Sequence, residues 1–91
     1  MAFTEDDLKR LRWHSRRGML ELDLILVPFA EQQLEALGDE RLARYRNLLA
    51  QEDQDLFSWF IRRNQPASSE LKDMVDFILF THVSQAPGQT L

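Results

Sequence analysis

Residues 20–29 read Leu-Glu-Leu-Asp-Leu-Ile-Leu-Val-Pro-Phe, and this stretch has a clear amphipathic helical pattern. Four apolar residues recur at the i, i+3, i+4 and i+7 spacing of one helical face: Leu22, Ile25, Leu26 and Phe29. Three more apolar residues widen that face: Leu20, Leu24 and Val27. We therefore expect a central helix that is the most buried of the chain. A bend is expected at Pro28, because proline lacks the amide hydrogen and crowds the carbonyl of Leu24.

A first helix is predicted before this stretch. Thr4 is followed by three acidic residues, and a hydroxyl cap with acids in the first turn favours a helix start. Asp7 stands three residues after Thr4, in the position of a capping box. Its inner face carries Leu8, Leu11 and Trp13. The helix should end near His14 or Ser15, and Gly18 separates it from the central helix.

Three further helices are predicted after it. Gly38 is the expected C-terminal cap of the central helix. Asp39, Asp53 and either Ser68 or Ser69 are expected to cap the third, fourth and fifth helices. Their inner faces carry Leu42, Tyr45, Leu48 and Leu49, then Leu56, Phe57, Phe60 and Ile61, then Leu71, Met74, Val75, Ile78 and Leu79. No stretch alternates apolar and polar residues like a strand. The fold class is therefore all-α, a compact five-helix bundle over 1–83, with a flexible C-terminal tail over 84–91.

Composition limits the possible functions. The 91 residues suit one domain, and the absence of cysteine excludes disulfides and a thiolate nucleophile. The net charge of −4 is unevenly placed. The segment 8–18 contains five basic residues and no acid: Lys9, Arg10, Arg12, Arg16 and Arg17. This pattern predicts a basic docking face on an acidic body, not general nucleic-acid binding. With no signal peptide and no long apolar run, we expect a cytoplasmic protein that does not insert into membranes.

Residues that could carry chemistry are sparse. His14 and His82 lack the spacing of metal ligands. A nucleophile turn and a glycine-rich phosphate loop are both missing from the sequence. Carboxylates cluster at the predicted start of the fourth helix, where capping explains them. We therefore expect no catalytic residue, no metal site and no tightly bound cofactor.

The candidate site is the segment 16–23. Arg17 offers a planar fork for a carboxylate on a partner, and Gly18 lets a second backbone approach closely. Glu21 adds a countercharge that fixes register. The partner-binding residues predicted here are Arg16, Arg17, Gly18, Met19, Leu20, Glu21 and Asp23. A plain helix boundary would also explain a glycine followed by an acid.

These residues resemble the signature of the succinate dehydrogenase flavinylation factors, the SdhE type, called assembly factor 2 in mitochondria. The shared pattern is Arg17-Gly18-x-x-Glu21, followed by Pro28-Phe29. A second block resembles the family at Leu48-Leu49 and Asp53-x-Asp55-Leu56-x-x-Trp59, and Pro66 precedes the last helix. The resemblance covers roughly residues 6–81.

The resemblance implies a five-helix bundle that acts as an assembly chaperone and not as an enzyme. It implies a partner, the flavoprotein subunit of succinate dehydrogenase and also of fumarate reductase, to which FAD becomes covalently attached at a histidine of that subunit. The Arg17, Gly18 and Glu21 surface would face the flavoprotein, in a 1:1 complex with a monomeric factor. The alternative is an antitoxin-like or regulatory protein-binding adaptor.

Overall fold

Five α-helices joined by short turns form the part of the chain that the computed structural model describes, residues 3–85, with side chains described to residue 82. The helices are α1 (Glu5–His14), α2 (Leu20–Gln33), α3 (Asp39–Leu49), α4 (Asp53–Phe60) and α5 (Ser69–Gln85). A single 3-10 turn, Leu34–Ala36, follows α2. Residues 3–85 contain no strand. The predicted all-α, five-helix architecture is confirmed.

Helix α2 lies at the centre of the bundle. It packs against α1, α4 and α5, and α3 also packs against α5. Leu22 and Leu26 are completely buried, and Phe29 is nearly so. Their spacing places them on one face, as the sequence predicted. Removing this much apolar surface from water is the main stabilising term of a small helical bundle.

The opposite side of α2 differs from the prediction. Leu20 and Leu24 are 69% and 59% exposed, and Val27 is half-buried. The expectation that these residues widen the buried face was wrong for Leu20 and Leu24. Helix α2 is apolar around most of its circumference, and its neighbours cover only one side.

Helix α1 begins as predicted. The Asp7 backbone N–H donates to Thr4 Oγ1 over 3.2 Å, and the Thr4 N–H donates to Asp7 Oδ2 over 3.0 Å. This reciprocal pair is a capping box. The helix ends at His14, where the sequence placed its end. Trp13 points outward and is 73% exposed, so its predicted inward position was wrong.

Three predicted caps need correction. Helix α2 ends at Gln33, and Gly38 is the N-cap of α3 with φ −74°, not a left-handed C-cap of α2. Asp39 and Asp53 are each the first residue of their helix, one position after the cap. Carboxylates in a first turn still interact favourably with the positive helix end. At α5 the prediction holds, because the Leu71 N–H donates to Ser68 Oγ over 3.3 Å.

Other expectations concern the ends and turns of helices. Ile61, expected on an inner face, lies just after the last residue of α4 and is 45% exposed. Helix α2 continues through Pro28, and the bend there stays a prediction. Helix α5 includes Ser84 and Gln85, so it is two residues longer than predicted. The rest of the predicted tail, 86–91, lies outside the described residues. No helix within residues 3–85 is long and apolar enough to cross a membrane.

Candidate partner-docking site

The turn between α1 and α2 is built around Gly18. Its φ of +81° lies in the left-handed region that L side chains rarely adopt. A Cβ added at Gly18 would meet no atom within 4 Å. The backbone conformation therefore requires glycine here, and packing within the protein does not. The space above Gly18 is open to an approaching partner.

The guanidinium of Arg17 turns inward from this loop. Its Nε donates to Asp53 Oδ1 over 2.8 Å. Its two terminal nitrogens donate to three backbone carbonyls, those of His14, Leu49 and Gln51, over 2.8–3.1 Å. These carbonyls lie at or just beyond the ends of α1 and α3, where helices leave acceptors without partners. The Arg17 side chain is 16% exposed and joins α1, α3 and the start of α4.

This geometry changes the role expected of Arg17. From its sequence position, the Arg17 guanidinium was expected to bind a carboxylate on a partner. The Arg17 guanidinium already donates four hydrogen bonds to groups of the same chain. A guanidinium has five N–H donors, so little of the fork remains for an external group.

Asp23 also holds this loop. Its Oδ1 accepts the backbone N–H of Arg17 over 2.8 Å. Asp23 lies in the first turn of α2, and it is half-buried. The carboxylate therefore fixes the loop relative to the axis of α2. Arg17 and Asp23 together set the position of Gly18.

A buried polar pair lies at the end of α1. Ser15 is completely buried, and its hydroxyl donates to the Leu11 carbonyl over 2.7 Å. The same oxygen is hydrogen-bonded to the hydroxyl of Tyr45 on α3. Since the single Ser15 hydroxyl hydrogen is already used, the phenol is the donor. Burial raises the pKa of Tyr45 to about 12, against smaller opposing effects from the Ser15 hydrogen bond and the Arg17 charge.

The seven predicted site residues therefore divide into two groups. Four are exposed: Arg16, Gly18, Leu20 and Glu21. We call these four residues the Gly18 face. The other three are half-buried: Arg17, Met19 and Asp23. Met19 packs against the core, and the other two hold the loop.

Sequence reasoning missed three members of the site: Ser15, Tyr45 and Asp53. Asp53 was interpreted as a helix cap, and Tyr45 as a core residue. The partner of Arg17 lies 36 positions along the chain. No local spacing signals a pair so far apart. No sequence pattern around Ser15 predicts its hydrogen bond to Tyr45.

Among residues 3–82, no group of three histidine or acidic side chains is placed to hold a metal ion. The features that stand out are a rigidly held loop and an exposed face at its tip. The fold thus defines a class of protein, a small all-helical bundle with an exposed turn between its first two helices.

Comparison with known proteins identifies the family. The family model described as flavinator of succinate dehydrogenase matches residues 9–82. The chain belongs to this family. It is 55% identical over 75 residues to the FAD assembly factor SdhE of Pseudomonas aeruginosa, covering 82% of this chain and 89% of that protein.

More distant relatives carry the same name. The FAD assembly factor SdhE of Idiomarina loihiensis is 44% identical over 73 residues, covering 80% of this chain and 81% of that protein. The protein of the same name from Pasteurella multocida is 43% identical over 75 residues, covering 82% and 89%. The resemblance stated from the sequence is confirmed.

Proposed function

We propose that this protein is an assembly factor that binds the flavoprotein subunit of succinate dehydrogenase and promotes covalent attachment of FAD to a histidine of that subunit. The observation that carries the proposal is the family match across residues 9–82, which includes the whole of the Gly18 face. The fold supports a binding role, because the Gly18 face is exposed on the outside of the bundle.

The contribution of such a factor would be binding energy. Joining a flavin to a histidine requires the two groups to be aligned and water to be excluded. A protein that binds the aligned conformation of the subunit more tightly than other conformations raises its population. The chemistry itself would then take place within the flavoprotein. The factor would act as a chaperone without turnover chemistry of its own and without tight binding of free FAD.

We assign the contact to the Gly18 face. Arg16, Leu20 and Glu21 would touch the flavoprotein directly, and Gly18 would let its backbone come close. Arg17, Met19 and Asp23 would contribute mainly by holding that face in position, as their hydrogen bonds and packing support. The complex would contain one factor and one flavoprotein subunit in the cytoplasm. The flavoprotein of fumarate reductase would be served by the same surface.

Two substitutions at Gly18 test the assignment. Both Gly18→Ala and Gly18→Arg place a side chain on a backbone with φ of +81°, which costs about 1–2 kcal/mol in each case. Neither meets an atom of the protein itself at the Cβ position. The two variants therefore share the strain and differ in the bulk that they present outward.

We expect Gly18→Ala to retain partial flavinylation and Gly18→Arg to fold but fail to bind the flavoprotein subunit. Covalent flavin is read as fluorescence of the denatured subunit, and folding as helical circular dichroism. Normal binding and flavinylation by Gly18→Arg would show that the Gly18 face is not the interface.

A further inference from the structure

Helices α1 and α2 border a groove with exposed apolar side chains. Trp13 on α1 and Val27 on α2 line the same hollow, which has a volume of about 260 Å³. Leu24 and Leu20 lie one and two turns before Val27, on the same side of α2. Trp13, Leu20 and Leu24 are 73%, 69% and 59% exposed. We call the hollow lined by Trp13 and Val27, together with Leu24 one turn away on α2, the Trp13 groove.

Three of the five large apolar side chains that are exposed among the described residues lie on α1 and α2. Single exposed apolar residues are common on soluble proteins, but contiguous apolar patches with a polar rim mark sites of interaction. Here three large side chains lie on adjoining turns of two packed helices. Tryptophan is also the residue type that most often dominates binding energy at protein interfaces.

The rim of the Trp13 groove is basic. Lys9, Arg12 and Arg16 line it, against the single carboxylate of Glu31. Arg12 reaches Glu35 over 2.9 Å. Within residues 3–82, Lys9 and Arg16 form no salt bridge. Their charges are available to a partner that carries carboxylates beside apolar side chains.

We propose that the Trp13 groove receives an acidic, amphipathic segment of the flavoprotein subunit and is continuous with the Gly18 face. The inference rests on the proposed function and adds to it a second area of contact and the chemistry of its occupant. Two residues of the Gly18 face connect the two areas. Arg16 also lines the rim of the hollow, and Leu20 lies one turn before Leu24 on α2. Apolar groups of the segment fill the hollow between Trp13 and Val27 and extend over Leu24, and its carboxylates face Lys9 and Arg16.

Two other occupants fit the groove less well. In a symmetric dimer built on this face, the two basic rims would lie against each other, which is unfavourable. A membrane surface is bound by a helix that presents a long apolar face. Trp13, the most exposed of the apolar groups here, instead borders a hollow between two helices. Both remain outcomes of the test below.

The test uses the purified flavoprotein subunit of succinate dehydrogenase, with FAD bound non-covalently, as the titrant in calorimetry. The variants are Trp13→Ala and Leu24→Gln. Phe80→Ala is the matched control, because Phe80 is 70% exposed but lies on α5 beside Arg41 and Arg44. Circular dichroism confirms that each variant is folded. We expect roughly 10- to 100-fold weaker binding for Trp13→Ala and no change for Phe80→Ala.

The basic rim is tested by Lys9→Glu, which should weaken binding most at low salt, because salt screens exposed charges. A direct readout is the ¹⁹F resonance of Trp13 in a Trp59→Phe variant labelled with 5-fluorotryptophan. With two tryptophans in the chain, this variant leaves Trp13 as the only labelled position. Its resonance should move when the subunit is added.

The outcomes separate this inference from the proposed function. If Gly18→Arg abolishes binding while Trp13→Ala and Leu24→Gln bind like the wild type, the groove is not part of the interface and the proposed function stands. If the wild-type factor binds no flavoprotein subunit, both fail. Two results would overturn the inference, both with a Trp13 resonance that does not shift when the subunit is added. A shift with vesicles of anionic phospholipid would indicate a membrane as the occupant. A shift with the concentration of the factor alone would indicate a second copy.

Discussion

Replacing Arg17 with alanine removes the side chain that joins three helices beneath the Gly18 face. The lost interactions are one hydrogen bond to the Asp53 carboxylate and three to backbone carbonyls, those of His14, Leu49 and Gln51. A hydrogen bond to a charged group contributes about 1.5–3 kcal/mol when water is excluded. Asp53 is 40% exposed, so the ion pair itself contributes at most about 1 kcal/mol.

The carbonyls freed by Arg17→Ala regain some water, which reduces the loss. We therefore expect a total loss of about 2–4 kcal/mol in the free energy of unfolding. For a domain of this size, that corresponds to a melting temperature lower by about 10–25 °C. Arg17→Lys should lose about half as much, because an ammonium group keeps the charge but not the planar fork.

The neighbouring residue provides the control. Arg16 is exposed and forms no salt bridge among residues 3–82. Arg16→Ala should change the free energy of unfolding by less than about 0.5 kcal/mol. It should instead weaken binding to the flavoprotein subunit. Thermal and urea unfolding followed at 222 nm measure stability, and calorimetry measures binding.

An Arg17→Ala variant that melts like the wild type yet no longer binds the flavoprotein would contradict this structural role of Arg17. That result would mean that the guanidinium faces the partner and that its internal hydrogen bonds are incidental. A double-mutant cycle with Asp53→Ala gives a second check. We expect a coupling of about 1 kcal/mol between the two residues, and a coupling of zero would remove Asp53 from the site.

Three further predictions concern other parts of the molecule. Glu21→Ala should lower the free energy of unfolding by about 0.3–1 kcal/mol, the contribution of an acid in the first turn of α2. Flavinylation of the partner should fall strongly. Equal losses of stability and activity would favour a purely structural role. Tyr45 should ionise with a midpoint near pH 12, measured by the absorbance at 295 nm. Because folding raises its pKa above the value in the unfolded chain, the free energy of unfolding should fall as the pH rises from 10 to 12. A midpoint near pH 10 in the folded protein would contradict the burial of Tyr45. Thr4→Ala should destabilise the protein by about 0.5–2 kcal/mol in urea unfolding, since the capping box loses its hydroxyl acceptor; an unchanged midpoint would mean that the start of α1 frays.

The helices themselves could be predicted because their signals are local. Thr4 and Asp7 lie three positions apart, and the capping box that they form is readable from four residues. The inner face of α2 is set by the 3.6-residue period alone. The caps at Gly38 and Asp53 were misplaced because glycine suits both ends of a helix, and an acid suits both the cap and the first turn.

The exposure of Leu20 and Leu24 could not be predicted from the period of α2. A helix that is apolar on nearly all sides is usually buried on all sides. Which sides are covered depends on how many neighbours pack against it. In this bundle one side of α2 is left uncovered, and that side is where the candidate interface lies.

The interior position of Arg17 could not be predicted either, for a different reason. An arginine beside a glycine in a basic segment has the composition of a docking loop. Its hydrogen-bond partners within the chain are carbonyls at the ends of two helices and a carboxylate 36 positions away, which come together only in the folded chain. Local charge identifies the segment as unusual, but it does not say which of two adjacent arginines turns outward.

Helix α2 carries both the centre of the core and the candidate contact surface. Leu22 and Leu26 are completely buried on the inner side of α2, so truncating either should lower stability and flavinylation together. Leu20 and Leu24 lie on the outer side, where little packing is lost on truncation, so changes there should lower flavinylation alone. Arg17 falls between these groups, since its loss would destabilise the bundle and also release the loop that presents Gly18. The effects of variants along α2 on stability and flavinylation should therefore depend on the helical face of the residue and not on its distance from Gly18. Only an interface that extends along α2 beyond the loop predicts that dependence.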